Sequence, residues 1–268
     1  MMGPSHALSG AAVWLVGSWV ADHVYGHPQT PAAVAVGTAV CAGAALLPDL
    51  DLSGRVTANK GGATVARTFG VVTLFVAEVV EKLSLLVYHA TKLRRDPARR
   101  NGHRTLTHTL PFVAAVGWGT TELCGRYGRW AVLAVLFVMV GLALRGLFPR
   151  WAERTGWLGV TACAVGGAYA AYLTLPAGPH YPELGFAVGV GCAVHLLGDL
   201  ITSAGVPLLW PLPVGGRTWR MIGLPRRFAL RAGGPGEVAL RALFVVSSLL
   251  AACALAAPQA VDRVLALT

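Results

Sequence analysis

What most constrains this chain is the repetition, from one end to the other, of long apolar stretches almost free of charge. Crossing about 30 Å of hydrocarbon takes roughly 17–25 helical residues. Stretches near that length occur at 7–24, 31–47, 109–124, 131–148, 157–175, 184–203 and 238–257. Unpaired backbone amides are not tolerated in lipid, so each such stretch must be a helix. The expected fold is all-α, a polytopic transmembrane bundle of about seven spans. Of the 268 residues 55% are hydrophobic and only 13% charged, and no polar block is large enough to fold alone, so 1–268 reads as one integral domain. The opening stretch lacks the Lys or Arg that begins a secretory signal, and is expected to be a retained first helix.

An eighth segment, residues 65–93, is apolar in its first half but carries Glu78, Glu81, Lys82 and His89 in its second. The distribution of basic residues decides how to treat it. Arg55, Lys60 and Arg67 precede it, and Lys92, Arg94, Arg95, Arg99 and Arg100 follow it. A third group, Arg217, Arg220, Arg226, Arg227 and Arg231, fills the late connection. Short cytoplasmic connections concentrate Lys and Arg. A segment lying in the interface, or dipping in and returning, keeps all three groups on the cytoplasmic face. Arg126 and Arg129 are the exceptions, and fall outside. Glu78, Glu81 and Lys82 then form the wet side of this helix.

The formal charge of +10 sits in short connections and not along one extended basic face, which argues for lipid headgroups and against nucleic acid as partner. Cys41, Cys124, Cys163, Cys192 and Cys253 are scattered singly in apolar runs, as small packing residues and not as disulfides or metal ligands.

The same layout gathers the unusual polar groups. His6 precedes the first span's apolar core, "LLPDLDLS" closes the second with Asp49 and Asp51, and "HRTLTH" opens the third with His103 and His108. His195 and Asp199, four apart and so on one helical face, lie toward the inner end of the span from 184. His108 is expected in the first turn of its span, with Thr105 or Thr107 near the N-cap. These seven residues include four of eight histidines and three of twelve acids. Imidazole and carboxylate together suit zinc or manganese with a position left for water, and such an ion acidifies water and polarises a phosphoryl or acyl oxygen. Arg104 at a helix N-terminus suits an anionic oxygen. His23, His27 and His180 fall on the opposite face as solvated loop residues. Glu237 is either a charge at a helix start or a further ligand. The rival readings are a metal or proton transporter, which needs polar groups along a path to the far side, and a structural metal site, which needs closed coordination.

In order, "HALSG", "LLPDLDLS", "GHRTLTHT" and "HLLGDLITSAGVPLLWP" resemble the YdjM-like, LexA-regulated family of membrane-bound metal-dependent hydrolases. The resemblance covers nearly the whole chain, and maps the family pattern onto His6 and Gly10, Asp49 and Asp51, His103, Arg104, Thr107 and His108, and His195, Asp199, Thr202 and Gly205. The family is remotely similar to zinc-dependent phospholipases C. Together these imply an inner-membrane hydrolase of an ester or phosphoester, possibly phospholipid-like, with its site toward the cytoplasm. His6, Asp49, Asp51, His103, His108, His195 and Asp199 would bind one or more zinc-like ions. Arg104 would neutralise phosphate charge, Thr107 and Thr202 would orient ligands, and Asp51 would serve as general base.

Overall fold

The computed structural model describes residues 1–53, 63–175 and 181–257. Arg55, Lys60 and His180 lie outside the described residues. Among the described residues there are helices and no strands. They are α1 (Gly3–His23), α2 (Pro31–Ala44), α3 (Ala63–Ala66), α4 (Val71–Thr91), α5 (Leu110–Tyr127), α6 (Arg129–Leu147), α7 (Pro149–Thr174), α8 (Pro182–Leu200) and α9 (Pro235–Ala256). Short 3-10 turns occupy Leu47–Asp51 and Leu106–His108.

The helix starts are written in the sequence. Pro4, Pro31, Pro111, Pro149, Pro182 and Pro235 all stand in first turns, where a missing amide hydrogen costs nothing. Thr30 caps α2 by accepting from the Ala33 amide at 3.1 Å. The cap of α5 is Thr109, accepting from Phe112 at 3.3 Å, and not Thr105 or Thr107. His108 consequently sits in the preceding 3-10 turn, outside the helix.

Five stretches are long and apolar enough to cross a membrane: Pro31–Asp51, Arg129–Leu147, Pro149–Thr174, Pro182–Leu200 and Pro235–Ala256. Of the seven stretches expected to cross, α1 and α5 are not among these five, because Gly, Ser, Thr and His dilute their apolar runs. The span expected from 157 belongs to a longer helix, α7, which begins at Pro149 and kinks at Gly156, whose φ of 68° is left-handed backbone that glycine adopts without strain.

In the bundle α2 and α8 are central. α2 packs on α1, α6 and α8, α5 lies against α8, α7 against α6, and α9 covers α1. Close crossings rest on absent side chains, as is common between membrane helices. A Cβ on Gly43 would lie 2.0 Å from the Met139 carbonyl oxygen, and one on Gly191 2.4 Å from that of Cys41. Val40, Leu136, Val188 and Cys192 fill the seam.

Alternation of the long helices brings the start of α1, the ends of α2, α6 and α8, and the start of α5 to one end. Ala7 and Leu46 both border Gly146, and His195 of α8 bonds the Ala45 carbonyl. Arg126 and Arg129 flank the α5–α6 junction at the other end.

Candidate metal centre

Each candidate side chain reaches this end from a different element. His6 lies one turn into α1. Asp49 and Asp51 occupy the 3-10 turn that Pro48 starts after α2. His103 and His108 belong to the irregular approach to α5, and His195 and Asp199 to the last turns of α8. All seven meet. His6, His195 and Asp199 form one group and Asp49, His103 and His108 another, each with ligand atoms within 4.8 Å of one another, and such groups can hold a metal ion.

The hydrogen bonds fix which ring nitrogen each histidine turns inward. His195 Nδ1 lies 2.7 Å from the Ala45 carbonyl oxygen, which can only accept, so Nδ1 carries the proton and Nε2 a lone pair. Thr107 spends its hydroxyl hydrogen on Asp51 Oδ2 at 2.6 Å, so its oxygen accepts from His108 Nδ1 at 2.9 Å, and His108 Nε2 is likewise bare. These two nitrogens stand 3.3 Å apart. Asp49 Oδ1 is 3.9 Å from the first and 3.7 Å from the second, counting His108 then His195, and Asp199 Oδ2 is 3.6 Å and 3.8 Å from them.

Four acceptors converging in a buried place repel one another unless positive charge lies among them. Ligand bonds of about 2.0–2.1 Å in a tetrahedral zinc site put neighbouring donor atoms about 3.3–3.4 Å apart. The measured spacings start at that value and exceed it by at most about half an ångström. His6 adds a further demand: it is fully buried, neither ring nitrogen has a hydrogen-bond partner, and its ring stacks on His195 at 3.8 Å. Its Nε2 is 3.4 Å from Asp199 Oδ1. The donor set therefore fits a divalent cation.

A sequence model of the YdjM inner membrane protein family matches residues 1–261. The chain belongs to that family. No curated protein and no solved structure matches the chain.

Within this YdjM-family protein, several residues stand elsewhere than their expected roles require. Asp51 lies behind the histidines. It is fully buried, and its carboxylate accepts from His103 Nδ1 at 2.8 Å, from the Arg104 amide at 3.0 Å and from Thr107. Asp51 belongs to neither group, and these bonds hold it against Nδ1 of His103 and the Thr107 hydroxyl that faces His108. Arg104, the one non-glycine with positive φ among the described residues, binds Asp199 Oδ2 at 2.8 Å and the Gly205 carbonyl at 3.1 Å. The Thr107 hydroxyl links Asp51 Oδ2 to His108 Nδ1. The Thr202 hydroxyl donates to the Asp199 backbone carbonyl at 2.7 Å, and not to a side chain of the two groups. The Met1 amino group lies 2.5 Å from Asp199 Oδ1. Glu237 belongs to neither group: its carboxylate accepts from the amides of Met2, before α1, and Gly233, before α9.

Exposure within the cluster is uneven. Asp49, Arg104 and His103 side chains are 11, 16 and 26% exposed, whereas those of the other members are nearly sealed. Burial disfavours a charged His103, but its hydrogen bond to Asp51 and the charges of Asp51 and Asp49 outweigh this and raise its pKa above the ordinary imidazole value. Protons and a cation thus compete for it.

Two contributors had no signal in the residue pattern. The Ala45 carbonyl is backbone, and any residue type supplies one. Asp96, a lone acid in "RRDPARR", proves to be an anchor: it accepts from the amides of Leu93, Thr218 and Trp219 and from the Thr218 hydroxyl, tying the chain before His103 to the connection after α8.

Proposed function

We propose that the protein is a membrane-embedded metal-dependent hydrolase of an ester or phosphoester borne by a membrane-associated substrate. The observation carrying this reading is the convergence of bare nitrogens and carboxylate oxygens from His108, His195, Asp49 and Asp199 beside the partly exposed side chains of Arg104 and His103. These four would hold the first ion, and His6 and His103, one at each side, would complete the coordination or hold a second. A zinc- or manganese-like ion supplies Lewis acidity and an acidified water at neutral pH.

The rest falls to the chain's own groups. Ala45 and Asp51 keep the imidazoles in the tautomer that presents Nε2. Asp49, the most exposed of the four, takes the proton of the entering water at its second oxygen, a task Asp51 is too heavily engaged to perform. Arg104, clamped on Asp199 and Gly205, sets a fixed positive charge where an anionic ester oxygen would lie. In this reading α1 and α5 cross as well, for seven spans, and the site faces the cytoplasm; the basic connections at the site end support that orientation.

The test is metal content and turnover of purified protein in lipid nanodiscs, with phosphodiester, carboxylic ester and phospholipid substrates. Metal-dependent turnover that His195→Ala and Asp199→Ala abolish is expected. A full complement of tightly held metal with no turnover of any of them would leave only a structural site.

A further inference from the structure

We propose that residues 65–91 form a re-entrant hairpin whose tip enters one leaflet beside α6 and α7, with the outer face of α4 lying against lipid acyl chains and not against protein. The tip is Phe69–Gly70. Phe69 stacks on Phe137 at 4.5 Å, and a Cβ on Gly141 would strike its ring. Gly70 turns the chain with φ +63° against the Trp157 indole, a conformation and a clearance that exclude a side chain. Phe137 and Gly141 lie ten and six residues before the end of α6, which at 1.5 Å per residue puts the tip about 9–15 Å below the site end.

From that depth α4 returns outward. Its inner stripe, Thr73, Ala77, Ser84 and Tyr88, is buried, and the helix packs on α3 and on the two 3-10 turns that carry Asp49, Asp51 and His108. At its outer end Thr91 accepts from the indoles of Trp210 and Trp219, both in the connection after α8. The chain thus enters from one end of the bundle and leaves at the same end.

The outer face commits to hydrocarbon by its order along the helix. Val71, Val72, Phe75, Val76 and Val79 come first, and Val71 and Phe75 are 77 and 67% exposed. Ionisable residues begin only at Glu78, which pairs with Lys82 at 2.9 Å, and end in the exposed Lys92, Arg94 and Arg95. Apolar at the deep end and cationic at the shallow end is the gradient between acyl chains and anionic headgroups. The lipid-facing side of α7 next to the tip continues the surface with Trp157 and Leu158.

The experiment uses the full chain in liposomes, with exposed Cys163 and Cys253 replaced by Ser and one cysteine introduced at Phe75, Lys92, Arg226 or Arg129. An environment-sensitive fluorophore on Phe75→Cys should be quenched by nitroxides on shallow acyl carbons and spared by aqueous iodide. Quenching by iodide, strongest quenching at the bilayer centre, or protection from both quenchers, as a protein-covered face would give, would each overturn the proposal. An impermeant maleimide should reach Lys92→Cys from the same side as Arg226→Cys and from the side opposite Arg129→Cys. Labelling of Lys92→Cys together with Arg129→Cys would overturn it as well. Neither readout depends on metal or turnover.

Discussion

His108 and His195 turn their Nε2 atoms to each other across 3.3 Å, each with its Nδ1 proton committed to a protein acceptor on the far side of the ring. No proton is left to bridge the two lone pairs, and Asp49 Oδ1 and Asp199 Oδ2 lie 3.6–3.9 Å from them. The pairing makes sense with a cation between them, and it dictates how the protein should respond to losing one.

Chelation should lower thermal stability, and added zinc or manganese should restore it. An ion present at about 100 times its dissociation constant contributes about 2.7 kcal/mol to the folded state. Thermal unfolding in detergent with and without chelator measures this, and an unchanged midpoint would contradict the reading of the cluster. His195→Ala should show the low midpoint regardless of added metal.

Asp51→Asn should weaken metal binding by roughly 10–100-fold without unfolding the protein, the range typical of losing a partner that orients a ligand. The amide offers one acceptor oxygen where the carboxylate satisfies three donors, and its NH2 would face a donor. Competition with a metal-sensitive dye reads the affinity. Thr107→Val should have a smaller effect in the same direction.

Asp96 adds a pH dependence of its own to the segment before α5. Burial opposes ionisation of its carboxyl, but the amides of Leu93, Trp219 and Thr218 and the Thr218 hydroxyl outweigh it and hold the pKa below the ordinary carboxylate value. A depressed folded-state pKa stabilises above the unfolded value, about 4, and that contribution disappears as pH falls through the folded value. Cleavage by an acid-active protease between residues 92 and 109 should therefore rise steeply below about pH 4. Asp96→Asn should show the higher susceptibility already at neutral pH and lose the pH step.

Gly43→Ala should destabilise the bundle by about 1–3 kcal/mol, because the added methyl meets the Met139 backbone and no side chain can swing away. A lower unfolding midpoint with the metal affinity per folded molecule unchanged is expected. Gly166→Ala, where the new methyl meets nothing within 4 Å, is the control.

Much of this protein is legible in one dimension. Apolar length dictates helices because lipid offers the backbone no partners, and alternate crossings assign each connection to an end, which is enough to gather His6, Asp49, Asp51, His103, His108, His195 and Asp199 in one region. Proline marks the helix starts because a fixed φ and a missing donor are local properties. The tertiary structure alone decided which carboxylates face the candidate metal position and which stand behind it: Asp49 and Asp51 are two residues apart in one turn, yet one faces the Nε2 atoms and the other the Nδ1 atoms. It alone gave residues 65–91 their turn at Gly70, since the same apolar run serves a crossing, a surface helix or a hairpin until Phe69 finds Phe137. The division follows from range. Helix formation and burial are set by the chain's own neighbours and its solvent, whereas the direction of a hydrogen bond is set by whichever distant atom is brought within 3 Å of it.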